Sequence, residues 1–117
     1  MQKVLLNAVT ATTTSDPVNI ENLDDLTLHF FAASISSGNG VFAVDGSNDG
    51  INWLTSIAFL DAVATAVGTF KASHTLSSNV SGAGYLKDCG FKMIRVVVTR
   101  TTDGAYSCIL SANKKVG

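Results

Sequence analysis

The chain has 117 residues and a formal charge of -1 from eight basic and nine acidic residues, a length that supplies one domain with one hydrophobic core and no second. Charged residues make up 15% and apolar residues 46%, against roughly 25% charged in an average soluble domain, and the Lys and Arg side chains are scattered rather than gathered into a stripe, which argues against a nucleic-acid partner. No stretch approaches the roughly 18 uninterrupted apolar residues of a membrane span, so no membrane partner is expected either.

A small domain so short of charge must show it on the outside, either as a neutral Thr/Ser/Asn surface or as surface buried against other copies or another protein. Assembly is the favoured reading. Met1–Ala11 carries one lysine and an A-x-x-A ending like a signal peptide, but Asn7 breaks its apolar run, and it reads as a first strand. Residues 1–22 are expected to form a strand or extended arm ahead of a β-sandwich domain over 23–117.

Apolar residues mostly follow period two, the mark of strands half-buried in a sheet. Leu26–Ala32 alternates with Leu26, Leu28 and Phe30 on one face. Ser36–Gly40 is a dense turn signal before the short apolar run Val41–Val44, and a hairpin is expected to join the two strands. Asp45-Gly46-Ser47-Asn48-Asp49-Gly50 reads as a second turn, followed by a strand over Ile51–Phe59 with Ile51, Trp53 and Ile57 inward. Asp61–Ala66 is alanine-rich and reads as a short helix or an irregular connection.

Gly68–Leu76 reads as a strand and the Ser/Gly-rich segment Ser77–Gly84 as an exposed loop. Asn79-Val80-Ser81 matches a glycosylation acceptor, a pattern too short to carry weight. Lys92–Arg100 is the strongest strand, rich in β-branched residues, with Ile94, Val96 and Val98 on one face and Arg95 and Thr99 on the other. Asp103-Gly104 suits a tight hairpin turn that would return Ala105–Leu110 antiparallel. About seven or eight short strands with frequent turns predict an all-β protein, an antiparallel β-sandwich or jelly roll.

The segment Asp45-x-Ser47-x-Asp49-Gly50 places oxygen ligands at the first, third and fifth places of a calcium loop and glycine at the sixth. Ser56, however, stands where a helix-loop-helix site needs a bidentate Glu, and the flanks read as strands. Two carboxylates with backbone carbonyls would hold calcium weakly. A turn explains more residues: Asn48 and Asp49 tolerate turn geometry, Asp side chains bond back to the backbone, Gly50 takes the left-handed position, and Trp53 anchors the loop to the core. Asp45, Ser47, Asp49, Gly50 and Trp53 therefore form a structural turn motif, and no metal or cofactor is expected.

His29 lies on an apolar strand and reads as a core or interface residue, whereas His74 sits among Ser and Thr and reads as solvated. Cys89 and Cys108 are too few for a zinc site; they read as two buried thiols, with a disulfide between neighbouring strands as the alternative. No serine has a G-x-S-x-G setting, and nothing in the spacing of Glu21, Asp24, Asp25, Asp61, Asp88 and Asp103 selects a glycosidase pair. The chain is not expected to be an enzyme, and no catalytic residue is assigned.

Val41–Trp53 resembles the strand followed by G-S-N-D-G-x-N-W of small β-sandwich proteins encoded among the structural genes of tailed bacteriophages. Tyr85–Val96 is similar to that family's segment of an aromatic, a glycine and then an aromatic or Met before x-R-V, and Thr102–Leu110 to its last hairpin, so the resemblance covers about residues 26 to 112. It implies a virion protein assembled in the host cytoplasm: a homo-oligomeric capsid decoration protein whose partners are the major capsid protein or other virion proteins, or else a tail or baseplate part. Similar S-x-D-G-x-x-W turns occur in carbohydrate-binding and adhesion modules, for which Tyr85, Phe91 and Tyr106 are the candidate aromatic platforms, although each also alternates into the core.

Overall fold

The computed structural model describes residues 1–62, 70–86 and 90–115. Eleven strands occur there: β1 (Gln2–Val9), β2 (Thr13–Thr14), β3 (Val18–Asn19), β4 (Leu23–Ala33), β5 (Asn39–Ser47), β6 (Phe59–Ala62), β7 (Phe70–Lys71), β8 (His74–Leu76), β9 (Ser81–Leu86), β10 (Met93–Thr101) and β11 (Ala105–Lys114). They form two antiparallel sheets, one of six strands in the order β1-β11-β4-β9-β6-β7 and one of five in the order β2-β10-β5-β8, with β3 also paired to β10. The protein is an all-β sandwich, as the period-two pattern predicts.

Alternation decides which side chains fill the space between the sheets. Leu28 and Phe30 from β4, Phe42 and Val44 from β5, Ile94, Val96 and Val98 from β10, and Tyr106, Cys108 and Leu110 from β11 are all fully buried. Phe30 and Phe42 belong to opposite sheets, and their rings stack with centroids 4.6 Å apart. Phe59 joins Phe30 at 6.0 Å and Tyr106 meets Phe42 edge-on at 6.1 Å. Each buried large apolar side chain contributes roughly 1.5–3 kcal/mol, so this aromatic group is a principal link between the layers. The Tyr106 hydroxyl donates to the Asp103 carbonyl at 2.8 Å, which satisfies the one polar atom the ring carries inward.

The strand pairing departs from the sequence expectation in an instructive way. Among the described residues only β6 and β7 are consecutive strands that hydrogen-bond to each other. Ser36–Gly40 does not close a hairpin, because β4 pairs with β11 and β9 while β5 pairs with β10 and β8. Thr102–Gly104 likewise carries the chain from the five-stranded sheet to the six-stranded one, and β11 lies against β1 and β4 rather than β10. Both segments are arches across the sandwich.

Asp103 ties these arches together. Its Oδ1 accepts from the backbone N–H of Ser36 at 3.2 Å and of Gly38 at 3.0 Å, and its Oδ2 accepts from Ser37 at 3.2 Å. Those N–H bonds, Ser36 foremost, hold the carboxyl below the ordinary carboxylate range because they favour its charged form. Thr102 and Gly104 on either side take φ values of 71° and 104°, the left-handed region that lets the chain turn sharply.

Other expectations change with the topology. The Gly68–Leu76 segment, as far as it is described, is two strands in different sheets, β7 and β8. Ser77–Gly84 is not wholly a loop, since Ser81–Leu86 is β9 and pairs with β4. Its glycines are what permit this: a Cβ on Gly82 would collide with the His74 ring and one on Gly84 with Phe59. Ile51–Phe59 forms no continuous strand; Leu54 makes one bridge to Gly46, and Ile51 is 81% exposed. Asp61 and Ala62 belong to β6 rather than a helix, while the rest of the alanine-rich segment, residues 63–66, lies outside the described residues. Residues 1–22 contribute β1 to one sheet and β2 and β3 to the other.

Candidate functional site

The turn motif divides into two parts with different partners. Asp45 and Ser47 are in β5, so the turn proper begins after them. The Ser47 hydroxyl accepts from the N–H of Asp49 at 3.3 Å and of Gly50 at 2.9 Å and donates to the Asn52 carbonyl at 2.7 Å. The Asp49 carboxylate accepts from the N–H of Ile51 and Asn52, each at 2.8 Å, and from Asn52 Nδ2 at 2.7 Å. These donors, the Asn52 N–H first and the Ile51 N–H second, hold Asp49 far below the usual carboxylate range. Gly50 has φ 75°, the left-handed position expected of it.

Asp45 faces away from this turn. Its Oδ2 accepts from Arg95 Nε at 2.9 Å, directly across the β5–β10 ladder, and its Oδ1 accepts from the Ser56 N–H at 3.1 Å. Ser56 sits at φ 55°, a strained conformation for a side-chain-bearing residue that this bond helps to hold. Trp53 is half-buried and does not enter the core; the Arg95 guanidinium lies 4.3 Å from its ring centroid, a cation–π contact. Gly46 and Leu54 exchange both backbone hydrogen bonds, and Asn48 Oδ1 accepts from the Lys92 N–H at 3.0 Å, fastening the loop to the start of β10.

Asp45 and Asp49 are thus each engaged by the protein's own donors rather than converging on one point. Among the described residues no three His, Cys, Asp or Glu side chains gather as a metal site would require. The sequence motif missed Arg95 and Phe91, the two residues that pack the loop from β10 and its approach. Gly46 was the available sign of Phe91, because a Cβ there would lie 2.5 Å from the Phe91 ring.

His74 is not solvated as its neighbours in sequence imply. Its Nδ1 lies 3.0 Å from Asp61 Oδ1, Lys71 Nζ lies 3.1 Å from Asp61 Oδ2, and the imidazole stacks on Phe30 at 5.7 Å. His29 is exposed on the outside of β4, where its ring meets Phe31 edge-on. Cys108 is a buried free thiol pushed up to about 12 by burial, and Cys89 lies outside the described residues. Of the three candidate platforms, Tyr106 is in the core, Phe91 is half-buried and Tyr85 is 45% exposed.

The outer faces of the two sheets complete the picture. Direct cross-strand partners share a face, and the pairing aligns Gln2, Ser111, Thr27, Tyr85, Leu60 and Phe70 in one row across the six-stranded sheet. Val4, Ile109, His29 and Ala83 form the next row, and Ser107, Phe31 and Ser81 the third. None of these carries a carboxylate, ammonium or guanidinium. On the five-stranded sheet the corresponding face presents Val41, Ala43, Val97 and Thr99, and its charged pair, Asp45 and Arg95, is mutually neutralised. Among the described residues the remaining charges lie in loops, at strand ends or on the edge strands β1 and β7, or, as with Asp61, point inward.

Fold and surface define an antiparallel β-sandwich whose described outer faces carry little net charge and whose acidic turn is fastened to β10. The crystal structure of the SPBc2 prophage-derived protein YomS has the same fold: it superposes with a TM-score of 0.73 at 12% sequence identity, covering 97% of this chain and 92% of that one. No family model matches the sequence, and no curated protein matches it.

Proposed function

We propose that the protein is a non-enzymatic structural component of a tailed-bacteriophage particle, a homo-oligomeric decoration protein that binds the capsid shell. The observation that carries this reading is the placement of charge: among the described residues the broad faces carry only the mutually paired Asp45 and Arg95, and most other charges lie at the margins, the pattern of a part that packs by its faces. The fold shared with a prophage-derived protein supports a phage setting, and the turn at 47–52 serves the fold rather than a ligand. Binding to the shell and to other copies is the whole mechanism, with apolar burial supplying the free energy and shape the register.

Mass spectrometry and cryo-EM of purified particles test the proposal. A copy number set by the capsid lattice supports decoration; density in the tail or baseplate moves the protein to that part of the particle; absence from particles sinks the virion reading. Tyr85 supports a second reading as a carbohydrate-binding or adhesion module, because it lies half-exposed on a cleft of about 730 Å³ whose lining includes Leu60, Phe91, Asp24 and Asp25. Glycan-array binding abolished by Tyr85→Ala would favour that module over a shell protein.

A further inference from the structure

We infer that the outer face of the six-stranded sheet is a two-fold contact, and that its occupant is the same face of a second copy of this chain. The inference rests on the structural-component reading and names the first partner that reading requires. Three apolar side chains stand well out of this face: Phe70 is 66%, Val4 56% and Tyr85 45% exposed. Tyr85 and Phe70 flank Leu60 as direct cross-strand partners, so they form a continuous apolar ridge over three strands, with Phe31, Ile109 and Ala83 on the neighbouring rows.

Charge selects the occupant. An isologous contact sets each residue of a patch against the same patch, so a charged face meets like charge along the two-fold axis. Among the described residues the three rows hold no carboxylate, ammonium or guanidinium; Asp24 and Asp25 lie at their border, His29 is their one basic side chain, and Ser81, Ser107, Ser111, Thr27 and Gln2 carry hydroxyl and amide groups that both donate and accept. A basic or acidic partner would find no fixed opposite charge in these rows, whereas an identical face brings apolar surface against apolar surface with no fixed like charges opposed.

Size is sufficient as well. The thirteen side chains of the three rows, each taking roughly 4.8 by 6.8 Å of the sheet, give a projected footprint on the order of 400 Å². The accessible area of a face ridged by side chains exceeds its projection and approaches the roughly 800 Å² per partner of a standard stable interface. Two such faces stacked about 10 Å apart would extend the sandwich by sheet-on-sheet packing.

Sedimentation equilibrium of the isolated full chain, with Tyr85→Lys on this face and Thr99→Lys on the opposite face, tests the inference. The expected result is a mass of two 12.2 kDa chains or an even multiple, halved by Tyr85→Lys and unchanged by Thr99→Lys, with circular dichroism confirming that both variants fold. A monomer at all concentrations, an oligomer indifferent to Tyr85→Lys, or one split by Thr99→Lys instead overturns it. Should the chain be monomeric and Tyr85→Lys remove it from particles, the face binds another virion protein: the two-fold inference then fails while the virion reading stands.

Discussion

Gly38 donates its backbone N–H to Asp103 Oδ1 at 3.0 Å, and this bond joins the two arches through which β4 passes to β5 and β10 passes to β11. One side chain therefore holds two sheet-to-sheet connections that are more than sixty residues apart in sequence. Asp103→Asn keeps the shape but replaces one anionic acceptor oxygen by a donor, and a fall of several degrees in Tm is expected at neutral pH. Asp103 titrates below its ordinary value of 3.8, so its contribution is present above that value and is lost as pH falls through the lower folded one. The gap in Tm between wild type and Asp103→Asn should accordingly narrow below pH 3.8, and a gap that stays constant through the acid range would count against the arch bond.

The Asp45–Arg95 pair predicts a coupled loss at the opposite end of the sandwich. With the Asp45 side chain 5% and the Arg95 side chain 27% exposed, Asp45→Asn leaves a guanidinium without its counter-ion and is expected to cost about 1–3 kcal/mol in urea unfolding. The chain has one tryptophan, so Trp53 emission reports on this site alone. Arg95→Met should shift that emission at native conditions while far-UV dichroism stays unchanged; an unaltered spectrum would remove Arg95 from the indole.

Gly46 and Phe91 make a pair whose defect should be repairable. Gly46→Ala places a methyl group against the Phe91 ring, and overpacking of this kind costs about 1–3 kcal/mol. Combining it with Phe91→Ala removes the obstruction, so the double variant should be more stable than the sum of the two losses by more than the roughly 0.5 kcal/mol expected of independent sites. Strict additivity in denaturant titration would contradict the packing.

Cys108 should be silent until the protein opens. Burial pushes its thiol up to about 12, so at neutral pH it is both protonated and enclosed. Peptide mapping after iodoacetamide should find Cys108 unmodified in the native protein and modified in denaturant. Cys108→Ser puts a hydroxyl into the same apolar space and is expected to destabilise by about 1–3 kcal/mol.

The inward faces of β4 and β10 were legible because alternation acts on each strand by itself: Leu28, Phe30, Ile94, Val96 and Val98 fall where the period puts them. Pairing was not legible, because alternation says that a side chain points inward but not from which sheet. Asp103-Gly104 shows the difficulty, since the dipeptide that suits a tight hairpin also suits an arch and the choice is made by β1 and β4, distant in sequence. Ser81 to Gly84 shows another, because small residues that signal a loop were needed for close approach of Phe59 and His74. His74 read as solvated because its partner Asp61 reaches it from another strand of the other sheet. Within the turn, Gly50 and Asp49 act locally and could be read; Arg95 over Trp53 depends on the β5–β10 register and could not.

The near absence of paired consecutive strands among the described residues has a kinetic meaning. A chain in which β1 meets β11, β4 meets β9 and β2 meets β10 has almost no short-range ladder with which to nucleate, and must close long loops before contacts repay the lost entropy. Its folding belongs in the millisecond-to-second range of non-local β topologies, and during that interval unpaired strand edges and both neutral faces are open to other chains. Recovery of folded material after heating should therefore fall with protein concentration faster than equilibrium stability alone would imply.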